Sequence, residues 1–174
     1  MHKKRGRPII RRLILILIIG LAAALQYSAA RYMNVAGVFP NLMFVAAVAA
    51  GYAISSEAGG FAGLCLGLYQ DAQSGKIMGM HALFFLYGGV IAGLFPKKSS
   101  IGDLPMMLIA MYALTVLYEG GLYIFAYAIP ATRGGFGPGL DALNAVATVI
   151  IPAAFLNVIC CVPFYFVLGI GGSN

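Results

Sequence analysis

The chain has 174 residues, of which 61% are hydrophobic and 9% charged, with a formal net charge of +6. A soluble domain carries about 25% charged residues, so this chain cannot clothe a water-facing surface, and its length allows one domain. Nucleic-acid binding is excluded too: six of the eleven basic residues (Lys3, Lys4, Arg5, Arg7, Arg11 and Arg12) crowd the first twelve positions instead of lining a folded face.

The expected architecture is an all-α integral membrane protein, a six-transmembrane-helix bundle. Residues 1–12 form a basic cytoplasmic segment that anchors on anionic lipid, residues 13–170 a single transmembrane helical domain, and residues 171–174 a short tail. A spanning helix needs roughly 20 mainly apolar residues. In chain order, the apolar runs predict helices from about Leu13 to Ala30, Pro40 to Ile54, Ala58 to Ala72, Met78 to Phe95, Leu104 to Ile129, and Ala142 to Leu168. The second and third are short, with a turn at Ser55-Ser56-Glu57. Pro40 and Pro105 suit the first turn of a helix, where a missing N–H is tolerated, and Asp103 suits a cap on the fifth. Pro152 and Pro163 fall inside the sixth and should kink it. A competing reading of the start is a cleaved signal peptide ending at Ser28-Ala29-Ala30, which would leave five spans.

Lysine and arginine set the orientation. With both termini inside, the cytoplasmic side holds the six early basic residues plus Lys97 and Lys98, against Arg31, Lys76 and Arg133 outside. That balance obeys the positive-inside rule and implies a multi-pass protein of the bacterial inner membrane with a cytoplasmic N-terminus.

Small residues are the first candidates for function. Gly59, Gly63 and Gly67 recur every four residues on the third helix, Ala46, Ala47, Ala50 and Gly51 make a similar face on the second, and Gly89 and Gly93 lie on the fourth. In lipid, such faces let helix backbones approach closely, either within the bundle or against a partner's helix. Asp71 lies at the end of the third helix and opens the turn Asp71 to Lys76, which contains Gly75; Gly79 and His81 follow near the start of the fourth helix. The free N–H groups of a helix start suit a carboxylate, so Asp71 is expected to lock the turn or to contact a partner. As a lock it should tolerate asparagine better than alanine. His81 is a structural hydrogen-bonding residue or a pH sensor, and one histidine makes no metal site. Glu119 lies well inside the fifth helix, where a carboxylate is costly; it is expected either to serve function there or to face the bundle protonated or hydrogen-bonded, with Asn144, Thr148 or Asn157 as its partner.

Chemistry finds no support. The five acids stand singly, no Ser/His/Asp set is present, and Gly-Gly-Phe-Gly-Pro-Gly at 134–139 lacks the lysine and hydroxyl of a phosphate loop. Cys65, Cys160 and Cys161 sit in apolar runs and read as packing residues. The sequence therefore predicts no catalytic residues, no metal and no cofactor.

Several motifs between Pro40 and Lys98 fall in a distinctive order. Pro40-Asn41-Leu42 opens the second helix, and Gly67-Leu68-Tyr69-Gln70-Asp71 closes the third. Ser74-Gly75, Gly79-Met80-His81-Ala82 and the pair Gly89 and Gly93 follow. This stretch resembles the MreD family of the bacterial rod-shape system, although Lys76 stands where that pattern has a small or apolar residue. The resemblance implies a non-enzymatic inner-membrane scaffold beside the bitopic protein MreC. Such a scaffold would connect MreB filaments to the RodA glycosyltransferase and its transpeptidase during cell-wall elongation. It also implies a fold similar to the substrate-binding S-components of energy-coupling-factor transporters. That likeness brings an alternative function, a vitamin-type binding subunit whose outward pocket would draw on Tyr27, Tyr32, Tyr118, Tyr123 and Tyr127.

Overall fold

Apolar periodicity does not say how six apolar helices sort themselves, because lipid and protein interior are equally oily. The computed structural model describes residues 6–28, 32, 37–75, 78–95, 103–128 and 142–167. The basic residues Lys3, Lys4, Arg5, Arg31, Lys76, Lys97, Lys98 and Arg133 lie outside the described residues, as do Ala29, Ala30, the connection at 129–141 and the tail at 171–174.

The described chain forms six helices in the expected order: α1 (Gly6–Ser28), α2 (Leu42–Ala53), α3 (Ser56–Ser74), α4 (Met80–Leu94), α5 (Asp103–Ala128) and α6. The last is composite: an α-helical turn Ala142–Ala145, a π-helical stretch Val146–Ile150 and an α-helical length Ile151–Val167.

Several boundaries move for identifiable reasons. α1 starts at Gly6, inside the basic segment, with Pro8 in its first turn. Pro40 precedes α2 instead of opening it. The residue that caps α2 is Asn41, whose side chain accepts from the Phe44 N–H at 3.0 Å. α3 has 19 residues and is not short. Ile54 and Ser55 make the turn, with Ser55 capping the Ala58 N–H at 3.2 Å, so Ser56 and Glu57 are already helical. Asp103 is the first residue of α5 and not the one before it. In α6 the backbone changes register just before Pro152, with the Ile151 N–H bonded to the Val146 carbonyl. Proline has no N–H to give, and a local shift to π-helix is one way to absorb that loss.

α2 is the axis. Every residue from Leu42 to Tyr52 is buried, and α2 touches each of the other five helices. Its alanines and Gly51 keep it thin enough to be surrounded. A helix that is apolar on all sides belongs in a core. Twelve residues make about 18 Å, short of the ~30 Å of a bilayer core. α1 is also a working part of the fold. Ile18 and Ala22 are buried, and Gln26 bonds to the start of α2.

α3 and α4 make the closest pair, and glycine is the cause. A Cβ on Gly59 would strike the Gly89 carbonyl and the Gly51 Cα, one on Gly63 the Phe85 carbonyl, one on Gly67 the Ala82 backbone, and one on Gly93 the Ser56 backbone. The glycine row is thus consumed inside the bundle, in a single antiparallel register, with Gly51 of α2 bringing a third backbone to the same point. The outside is apolar: Phe61, Leu64 and Leu68 of α3, Leu83 and Ile91 of α4, Ile109 and Leu117 of α5, and Phe155 and Ile159 of α6 are all exposed. Asp103–Phe125 and Val146–Val167 are long and apolar enough to cross a membrane; Ile16–Gln26, Leu42–Ala53 and Met80–Leu94 are shorter apolar helices.

A single methyl should therefore be felt. Gly63→Ala should lower stability by about 1–3 kcal/mol, because backbone cannot yield as a side chain does. Gly20→Ala, where a Cβ meets nothing within 4 Å, should be neutral. Melting of the detergent-solubilised protein distinguishes the two. Equal melting temperatures would refute close backbone contact at Gly63.

Candidate functional site

Continuing the glycine row by four residues from Gly67 arrives at Asp71, on the same face of α3. Its side chain therefore points at α4, where the next partner along the register is the start of that helix. Asp71 is 2% exposed. One carboxylate oxygen accepts from the Gly79 N–H at 2.9 Å and the Ala82 N–H at 3.0 Å. The other accepts from the His81 N–H at 3.0 Å and lies 2.8 Å from the His81 Nδ1. α4 thus begins with its free donors satisfied by a residue of α3, and Gly79, which precedes it, supplies no side-chain cap. Two left-handed residues make this possible: Gly75 (φ 62°) ends α3, and Gly79 (φ 97°) turns the chain back in front of the carboxylate. His81 is itself buried, its ring edge-on to Phe85 at 6.1 Å.

A second polar cluster lies at the start of α2. The Asn41 N–H donates to Asn157 Oδ1 of α6 at 2.7 Å, and Asn41 Nδ2 to the Tyr118 hydroxyl of α5 at 3.1 Å. Gln26 of α1 donates to the Pro40 carbonyl and accepts from the Leu42 N–H at 2.7 Å. Asn157 Nδ2 donates to Thr115 Oγ1 at 3.4 Å. Three other helices, α1, α5 and α6, are tied to the first turn of α2 in this way. Tyr118 joins the two clusters: its ring stacks on Phe44 at 4.8 Å, meets Phe85 at 5.4 Å and lies 6.2 Å from the His81 ring.

The structure thus brings Asn41, Asp71, Gly79 and His81 to one end of the bundle, linked through Tyr118. Glu119 is not among them. Its expected partners are engaged elsewhere, Asn157 with Asn41 and Thr115, and the Thr148 hydroxyl with the Asn144 carbonyl at 2.6 Å. Tyr118, offered by the sequence as a pocket ring, is buried and hydrogen-bonded. Tyr27 and Tyr127 have side chains outside the described set. Cys65, Cys160 and Cys161 are free thiols, the last two buried. Gln26 and Thr115 were missed by sequence reasoning. The available signal was their polarity within apolar helices, since such a group must find a partner.

A scan against family models matches residues 6–170 to rod shape-determining protein MreD. The chain belongs to the MreD family. Membership places it among membrane proteins that determine rod shape, a family not known for enzymatic activity. Neither the curated proteins nor the solved structures offer a match. Within this member of the MreD family, the motifs Pro40-Asn41-Leu42, Gly67 to Asp71 and Gly79 to Ala82 are the segments that meet at the two polar clusters.

The geometry sharpens what Asp71 variants should do. Each carboxylate oxygen receives two groups, three of the four being backbone donors. An asparagine amide would turn its own N–H₂ toward at least one of those donors, so Asp71→Asn should not be mild. Asp71→Ala should cost about 2–4 kcal/mol, and Asp71→Asn a sizeable fraction of it. Thermal unfolding in detergent measures both. An unshifted Asp71→Ala protein would show that α4 does not need this acceptor.

Proposed function

We propose that the chain is a non-enzymatic membrane scaffold of the bacterial cell-wall elongation complex, a six-span bundle that acts beside an MreC-like bitopic partner. Through that partner it works with a RodA-type glycosyltransferase and its transpeptidase. The observation that carries this reading is the family match over residues 6–170.

The burial of the polar groups supports it. Asn41, Asp71, His81, Thr115 and Asn157 are all buried and bonded to one another or to helix ends. Their role in this reading is to hold a rigid frame of helices. Asp71, at 2% exposure, is a structural lock and not a contact made by a partner. Gly59, Gly63, Gly67, Gly89 and Gly93 likewise serve internal packing. What remains for partners is the membrane-facing surface and the connections between helices. The N-terminus faces the cytoplasm, because basic residues at the start of α1 and at Lys97 and Lys98 outnumber those on the other side.

Three measurements test the reading. The full chain, co-expressed with its MreC-like partner and purified in mild detergent, should recover that partner, and depletion of the chain in a rod-shaped host should produce rounded cells. Recovery of no partner together with normal rods would sink the scaffold. A reporter fused after Asn174 should read cytoplasmic; a periplasmic signal would overturn the six-span arrangement.

A further inference from the structure

The exposed apolar surface of the bundle is not of one height. On α5 and α6 the apolar lengths Asp103–Phe125 and Val146–Val167 hold 23 and 22 residues, about 30–35 Å, which matches the ~30 Å hydrocarbon core of a bilayer. The hairpin of α3 and α4 is lower. α4 has 15 residues, about 22 Å. α3 is longer as a helix, but its exposed side carries Glu57 in the first turn and Gln73 in the last, about 24 Å apart. Between those two polar groups the exposed side chains include Phe61, Leu64 and Leu68.

These heights are upper limits, because tilting a helix shortens its projection on the membrane normal and never lengthens it. Nor can the hairpin stretch. At one end Ile54 and Ser55 alone join α3 to the encircled α2. At the other, the Asp71 carboxylate draws the start of α4 back onto α3. Between the ends, the glycine contacts fix one helix against the other in a single register.

A surface lower than its bilayer is accommodated by thinning the lipid, by flanking side chains that reach the interface, or by covering the face with protein. A glutamate and a glutamine have little apolar stem with which to reach a distant interface. The face itself continues the lipid-facing surface of α5. α4 packs beside α5 through Phe84 and Phe125, and its exposed side chains Leu83, Tyr87 and Ile91 run on from there. We propose that the α3–α4 face is covered by a locally thinned bilayer, a shell of short or disordered acyl chains with about 22–24 Å of hydrocarbon in place of ~30 Å. The inference rests on the six-span reading above and adds to it the kind of lipid that this side takes.

The chain contains no tryptophan, so a single introduced one reports only its own surroundings. Tyr87→Trp places it on the exposed side of α4 and Phe155→Trp on the exposed side of α6. Each full-length variant is reconstituted in vesicles that mix dimyristoleoyl phosphatidylcholine with a dibromostearoyl phosphatidylcholine, whose longer chains quench tryptophan on contact. Beside α4 the short-chain lipid should be enriched about twofold or more over its share of the mixture, and beside α6 it should not be enriched. Phe61→Trp, exposed on α3, takes the place of Tyr87→Trp if that variant fails to fold. Equal quenching on the two sides at every mixture overturns the thinning and leaves the six-span reading standing. Quenching at position 155 with none at 87 or 61 shows the α3–α4 face covered by protein, a second copy or another chain, and overturns the proposal as well. No quenching at any of the three positions overturns the six-span reading along with it.

Discussion

The backbone-to-backbone contact between α3 and α4 is the constraint from which the rest of this structure follows. Five successive steps along α3, at Ser56, Gly59, Gly63, Gly67 and Asp71, meet Gly93, Gly89, Phe85, Ala82 and the start of α4 in one register. The first four steps work because side chains are absent or small where the backbones meet. The fifth works because of the other four: with the helices that close, an aspartate side chain is just long enough to reach three backbone N–H groups of α4. A wider spacing would leave the carboxylate short of its donors, and a buried acid without partners is among the costliest features a protein can carry.

The same economy governs the other cluster. Without an aqueous interior, helices in lipid gain little from burying apolar surface and depend on close packing and on hydrogen bonds between helices. The first turn of α2 concentrates those bonds. Asn41 caps its own helix and reaches α5 and α6, while Gln26 binds the same turn from α1. α2 is encircled, so fixing its first turn fixes the helices around it. Tyr118 couples the two clusters by ring contact, so the ends of α2, α3 and α4 are set as one unit.

Particular residues show how far the sequence could be read. The glycine spacing was visible, yet Asp71 continues it at the same interval of four, and that continuation is what aims the carboxylate at α4. Gln26 was hidden because a single amide in an apolar helix names no partner. Its acceptor and donor lie across the chain at Pro40 and Leu42. Asn157 was visible as a polar residue but was paired in expectation with Glu119. Nothing in the sequence reveals that the start of α2 and Thr115 take up its amide instead. The two-residue shift at the start of α3 came from treating Ser55, Ser56 and Glu57 as a turn, when one serine suffices to cap a helix and a glutamate suits its first turn.

Some properties of this protein follow from the sequence by itself, because they depend on amounts and order: the membrane as solvent, the number of helices, the places where glycine and proline punctuate them, and the family. These are sums over residues or motifs read along the chain, and neither requires knowing what is near in space. Only the tertiary structure decided which helix is wrapped by the others, which polar groups meet, and that the glycine row faces inward. In an apolar chain every helix face is nearly as oily as the next, so periodicity cannot tell a buried side from one that faces lipid. That choice is made by the few places where backbones can touch and by the few polar groups that must find one another.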